Sequence, residues 1–229
     1  MSAVKILTFL VVAQLIFLPA TARAGVEEER KVQGSIAVLK EIMEIPEGGI
    51  PPSLLSDAYA VAIFPDLLKA GFIFGGRYGE GVMLVRGEDR AWSNPVFFRI
   101  VGGSIGWQIG AQSSDIILVF RSIRSLESIT SGKFTLGADA SIAAGPVGRH
   151  AEAGTDIQLR AEILSYSKSK GLFAGLAIEG AAMQVVYGSN AAFYNASGLL
   201  PIEIFRNRNI QAPFVADDLK RILTSYSSS

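Results

Sequence analysis

The chain has 229 residues, with 21 Lys and Arg against 21 Asp and Glu and a single His, so its formal charge is zero. That balance excludes a broadly basic nucleic-acid surface, and an apolar share of 49% with only 18% charged residues excludes a disordered chain. With no Cys and one His, disulfides, thiolate metal sites, iron–sulfur clusters, a Cys nucleophile and a multi-His metal site within one chain are all excluded.

Residues 1–24 have the pattern of a signal peptide. Lys5 supplies the positive start, Ile6 to Leu18 form a largely apolar run, Pro19 ends it, and Ala22-Arg23-Ala24 places small residues where a signal peptidase reads. The run is too short to cross ~30 Å of hydrocarbon as a helix. Cleavage is expected after Ala24, leaving 19 positive and 21 negative side chains in an exported, periplasmic or secreted chain. An exported chain without Cys suits a bacterial envelope.

Residues 25–57 read as a helical segment. Val32, Ile36, Leu39 and Met43 recur at helical spacing over 26–45, widened by Ile42, and Glu27 to Glu29 suit the first turn. Pro46, Gly48, Gly49, Pro51 and Pro52 break the chain before a short second helix from Ser53 to Ala58. Residues 58–229 form the main domain. Ala60–Phe64 reads as a buried strand stopped by Pro65, and Gly75–Glu80 as the turn of a hairpin between Gly71–Phe74 and Gly81–Arg86. Strands follow at Pro95–Val101, Ile105–Ala111 and Asp115–Arg121, then a brief helix at Ser122–Thr130. Further strand runs lie at Lys133–Ala144, Asp156–Ser165 and Leu172–Tyr187, with closing helices near Asn190–Asn195 and Pro213–Ser225. The expected fold is one α+β domain, a curved, barrel-like antiparallel sheet with N- and C-terminal helices.

Enzyme motifs fail on context. Gly102-Gly103-Ser104-Ile105-Gly106 fits G-x-S-x-G, and Asp115 or Asp139 followed by His150 even completes a hydrolase order. Trp107-Gln108-Ile109-Gly110 then continues as strand, where a nucleophile elbow needs a helix. Ser165-Tyr166-Ser167-Lys168 fits S-x-x-K, but no Lys-Thr-Gly triplet accompanies it. The glycines at 75–81 precede the apolar run Val82–Val85, where a phosphate loop requires a helix N-terminus. No enzyme and no cofactor is expected.

Several ordered segments resemble the SYLF (Ysc84) domain family. They are Ala62-Ile63-Phe64-Pro65, Lys69-Ala70-Gly71, Gly75 through Gly81, Trp92-Ser93-Asn94-Pro95, Gly106 through Gln112, Ala143 through Arg149, Ser165 through Gly175, and Asn190-Ala191-Ala192-Phe193-Tyr194. The resemblance implies a non-catalytic lipid-binding module, with phosphoinositide and actin roles in eukaryotic members. The export signal, and the lack of an SH3 or FYVE segment, make membrane phospholipid the transferable ligand; actin and nucleic acid are not expected partners. The alternative is a periplasmic structural or protein-interaction module without a lipid ligand.

Charge separates two membrane-facing surfaces. Residues 26–45 carry five Glu against three cations, whereas helices that lie on anionic lipid are rich in Lys and Arg. Packing of that helix on the sheet is therefore expected. The second surface joins cations to glycine-rich backbone at Lys69, Arg77, Arg149, Lys168 and Lys170, a combination that suits phosphate.

Overall fold

The computed structural model describes residues 20–46, 48–71, 74–105, 110–130, 134–147, 160–167 and 178–228. Helix α1 (Ala20–Met43) is followed by the short α2 (Pro52–Ser56) and then by four long strands, β1 (Ala60–Gly71), β2 (Phe74–Val85), β3 (Val96–Ile105) and β4 (Gly110–Phe120). Helix α3 (Ile123–Thr130), strands β5 (Phe134–Thr135), β6 (Ile142–Ala144), β7 (Ile163–Ser167) and β8 (Ala182–Val185), and helices α4 (Tyr187–Tyr194), α5 (Pro201–Arg206) and α6 (Phe214–Ser227) complete the chain.

The strands form one eight-stranded, curled sheet in the order β5-β8-β3-β2-β1-β4-β7-β6. Every pairing is antiparallel except β6 with β7. The α+β, single-domain expectation with terminal helices therefore holds. Val61, Ile63, Val82, Met83, Leu84 and Ile117 are all fully buried. Successive strand residues point to opposite faces, so the middle of the sheet is covered on both. One cover is α1, which packs on β1, β2, α4 and α6. Its predicted stripe is the buried face: Val32, Leu39 and Ile42 are enclosed, and Ile36 and Met43 pack at the edge.

Ile105–Ala111 is divided between the end of β3 and the start of β4, and Lys133–Ala144 between β5 and β6; two further expectations fail, for one reason. Pro65 does not stop β1; the strand continues through a bulge between Ile63 and Leu68, with Asp66 at φ 50. A bulge is where a strand tolerates Pro, because the ladder is already interrupted. Asp115 Oδ1 accepts the Asp66 N–H at 3.0 Å and fixes the kink. The glycine run at 75–81 is strand and not turn, since β1 pairs with β2 from Gly71↔Gly75 to Ala60↔Val85. These glycines admit the bulged strand. A Cβ at Gly81 would lie 2.0 Å from the Ile63 carbonyl oxygen, and one at Gly79 would lie 2.7 Å from Leu67 Cδ1. The brief helix after β4 appears as expected. Helix α5 was not foreseen: Pro201 opens it, and Glu203 Oε2 accepts the Leu200 N–H at 2.8 Å.

Candidate functional site

Two of the five predicted cations meet across the sheet. Lys69 on β1 lies directly opposite Arg77 on β2, and also opposite Gln112 on β4. Directly paired residues share a face, and like charges in that position repel. Both side chains are half-buried. Arg77 donates from Nη1 to the Glu179 carbonyl at 3.2 Å and from Nη2 to the Gly103 carbonyl at 3.4 Å. Its Nε is buried without a hydrogen-bond partner, and burial pushes its pKa below the ordinary value. Among the described residues, neither Lys69 nor Arg77 forms an ion pair. Gly71, Gly75, Gly76 and Gly102 surround the pair in the strand register, leaving that end of the sheet with few side chains.

The other three cations, Arg149, Lys168 and Lys170, lie outside the described residues. Strand β7 runs toward the same end of the sheet, and its last residue, Ser167, sits opposite Ile116, four positions along β4 from Gln112.

On the other side of the sheet, charge is used to hold α1. Lys31 Nζ lies 2.6 Å from Glu80 Oε2 and 3.2 Å from Glu28 Oε1. Ser189 of α4 donates to Glu28 Oε1 at 2.9 Å, and Tyr78 donates to Glu80 Oε1 at 2.5 Å. Arg99 stands opposite Glu80 on β3 and donates from Nε and Nη2 to Gln184 Oε1 of β8 at 3.1 and 2.9 Å. Burial raises the Glu80 pKa, but the hydrogen bonds from Lys31 and Tyr78 outweigh it and hold the carboxyl below its ordinary value. Burial likewise lowers Lys31, and its bonds to Glu80 and Glu28 more than reverse the effect. This clamp was not identified from the sequence. The available signal was Glu80 itself, the one carboxylate of this strand, set between Gly79 and Gly81.

The hydrolase order does not assemble as an elbow. Ser104 lies within β3, and the next described element is strand β4. Asp115 braces the β1 bulge, and Asp139 Oδ2 accepts the Thr135 N–H at 2.6 Å to close a turn; His150 lies outside the described residues. Ser165, the first Ser of the S-x-x-K match, is buried in β7 and donates to the Ala143 carbonyl at 3.2 Å. Among the described residues, no helix is long and apolar enough to cross a membrane.

Fold and site together define an α+β domain in which a curled antiparallel sheet is clamped by an N-terminal helix and carries paired cations at one end. The chain belongs to the Ysc84 family: the profile described as "Las17-binding protein actin regulator" matches residues 101–226. It is 35% identical over 211 residues to an SH3 domain-containing protein of Schizosaccharomyces pombe, covering 91% of this chain and 48% of that protein. Protein YSC84 of Saccharomyces cerevisiae is 33% identical over 211 residues, 91% of this chain and 44% of its own length. The SH3 domain-containing YSC84-like protein 1 of Mus musculus is 32% identical over 196 residues, 83% of this chain and 57% of that protein. The chain thus spans about half the length of the curated relatives it matches. No solved structure matches it.

Proposed function

We propose that this domain is a non-enzymatic binding module that holds anionic phospholipid at the Lys69–Arg77 end of its sheet, with Arg149, Lys168 and Lys170 belonging to the same surface. The observation that carries the reading is the cross-strand pair itself. Two like charges face each other with no ion-paired carboxylate among the described residues, and a bound phosphate would relieve that repulsion. In this reading residues 1–24 export the chain, and the lipid lies at a bacterial envelope membrane.

A second reading has support in the family description, which gives Las17 binding and actin regulation, and in a Saccharomyces cerevisiae relative named LAS seventeen-binding protein 3. A protein partner would then occupy the same domain. Co-sedimentation of the full chain with phosphatidylglycerol-containing vesicles and, separately, with filamentous actin discriminates the two. A cation near an anionic surface contributes about 1 kcal/mol. Lys69→Glu is therefore expected to weaken vesicle binding about tenfold at low salt, and Lys168→Glu with Lys170→Glu by more, all fading at high salt. Vesicle binding that ignores all three reversals, or pelleting with actin alone, refutes the lipid assignment.

A further inference from the structure

The opposite end of β1 carries a different polar concavity. A cavity of about 580 Å³ opens beside Tyr59, Arg86, Arg90 and Arg121. Ala60 pairs with both Val85 and Phe120 here, nine positions along β1 from Lys69, so the two ends are roughly 30 Å apart along the strand. The volume falls in the range of small-molecule sites.

The guanidinium groups of Arg86 and Arg90 are positioned by neutral partners. Arg86 rests 4.2 Å from the centroid of the Trp92 ring, and donates from Nη1 to the Arg90 carbonyl at 3.2 Å and from Nη2 to the Leu55 carbonyl at 3.0 Å. Arg90 donates to the Ser56 carbonyl, and Arg121 to the Ala161 carbonyl at 3.4 Å. Carbonyl oxygens orient a guanidinium without neutralising it. Among the described residues, Arg86 and Arg90 form no ion pair, although Asp57 and Glu88 also line the cavity. Burial and the neighbouring Arg90 charge lower the Arg86 pKa against an opposing pull from Asp57, so two cations are kept close at an electrostatic cost. The wall beside them is apolar and open, with Tyr59 43% and Ile123 56% exposed.

We propose that this cavity is a binding site for a small phosphate ester with an apolar or aromatic substituent, the phosphate on Arg86 and Arg90 and the substituent against Tyr59 and Ile123. Guanidinium forks match phosphate oxygens in pairs, and Arg86 and Arg90 stand close together on this wall with their guanidinium groups held by backbone carbonyls. The ester comes either from solution or from a lipid headgroup, and the site is independent of the Lys69–Arg77 end.

The test is calorimetric titration of the full chain with phenyl phosphate, with phenol as the uncharged control. Trp92 emission in a Trp107→Phe background serves as the local readout, because Arg86 lies on that ring. Saturable binding of phenyl phosphate, and none of phenol, is expected. Arg90→Asn removes one guanidinium but retains a residue that accepts the positive φ of 65 found there. It should weaken binding about tenfold or more while leaving the urea midpoint unchanged. Lys69→Glu should leave phenyl phosphate binding unchanged, which separates failure here from failure of the lipid assignment. In a Lys69→Glu background, which weakens the other end, vesicles containing phosphatidic acid distinguish the source: adding Arg90→Asn lowers their binding further if the headgroup enters the cavity and leaves it unchanged if the ligand is a soluble ester. Phenyl phosphate that does not saturate, that binds no better than phenol, or that binds Arg90→Asn as tightly as wild type overturns the proposal.

Discussion

Replacing Lys31 by Met tests whether the ion-pair clamp, and not apolar packing alone, fixes α1 on the sheet. The Lys31 side chain is 24% exposed, Glu80 22% and Glu28 8%. Removing one partner of a fully buried pair costs about 3–5 kcal/mol, because the other charge is left in a low dielectric. A surface pair is worth about 0–1 kcal/mol. The clamp stands between these limits. Lys31 serves the carboxylates of Glu80 and Glu28 and, at 3.7 Å, the exposed Glu27, yet Glu80 keeps its bond from Tyr78 and Glu28 keeps its bond from Ser189. The expected loss is therefore about 2 kcal/mol. Glu80→Gln removes the strand-side charge, and with Lys31→Met completes a double-mutant cycle whose coupling should be about 1 kcal/mol. Urea unfolding followed by circular dichroism and tryptophan emission gives all four stabilities. A Lys31→Met cost below about 0.5 kcal/mol, or a coupling indistinguishable from zero, would refute the clamp.

The same groups set a pH dependence. The folded Glu80 carboxyl lies below its ordinary 4.5, so its stabilisation is present above the unfolded value and is lost as pH falls through the folded one. Lys31 lies above its ordinary 10.5, so its share is present below that value and is lost as pH rises through the folded one; Lys31→Met should flatten both limbs of the stability curve. Gly81→Ala drives a Cβ to 2.0 Å from the Ile63 carbonyl oxygen, and a loss of about 3 kcal/mol or failure to fold is expected. Gly103→Ala has nothing within 4 Å of its Cβ and should stay within about 0.5 kcal/mol of wild type in the same urea assay. Arg208 pairs with Asp89 and holds its carboxyl at about 2. Both side chains are about half exposed, so Arg208→Ala should move the urea midpoint little, and less still in high salt.

Legibility in the sequence followed the range of the interaction. The buried stripe of α1 was readable because Val32, Leu39 and Ile42 repeat at the period of a helix, and the brief helix after β4 for similar reasons. The hairpin was misplaced because glycine has two uses. Local pattern marks a Gly-rich run as a turn, whereas Gly79 and Gly81 are required by the approach of a bulged strand that pattern does not encode. The charge sign of residues 26–45 correctly pointed away from a basic amphipathic surface, but it did not show what the charges do. Lys31 meets Glu80 across 49 positions of sequence, and no spacing rule reaches that far. Similarly, Lys69 and Arg77 stood out as cations beside glycine-rich backbone, while their direct opposition follows from the strand register. Arg86 and Arg90 drew no notice at all, since a turn with two arginines is ordinary until Leu55, Ser56 and Trp92 are seen to orient them.

Clamping α1 also bears on which surface is free to meet a ligand. Lifting the helix would expose Val32, Leu39 and Ile42, each worth about 1.5–3 kcal/mol when buried, would strand Glu80 without Lys31 and would part Glu28 from Ser189. Together these terms amount to about 6 kcal/mol or more, a large part of a domain's whole stability. An anionic membrane would return little of that to a helix segment bearing five Glu and three cations. The ends of the sheet involve no such cost. Lys69 and Arg77 at one end, and Arg86 and Arg90 at the other, carry charge that no carboxylate among the described residues neutralises through an ion pair. Binding there requires no element to leave the core. The helix and the middle of the sheet thus supply rigidity, and in the binding proposed above recognition would fall to the cations that the strand register and backbone carbonyls hold at the two ends.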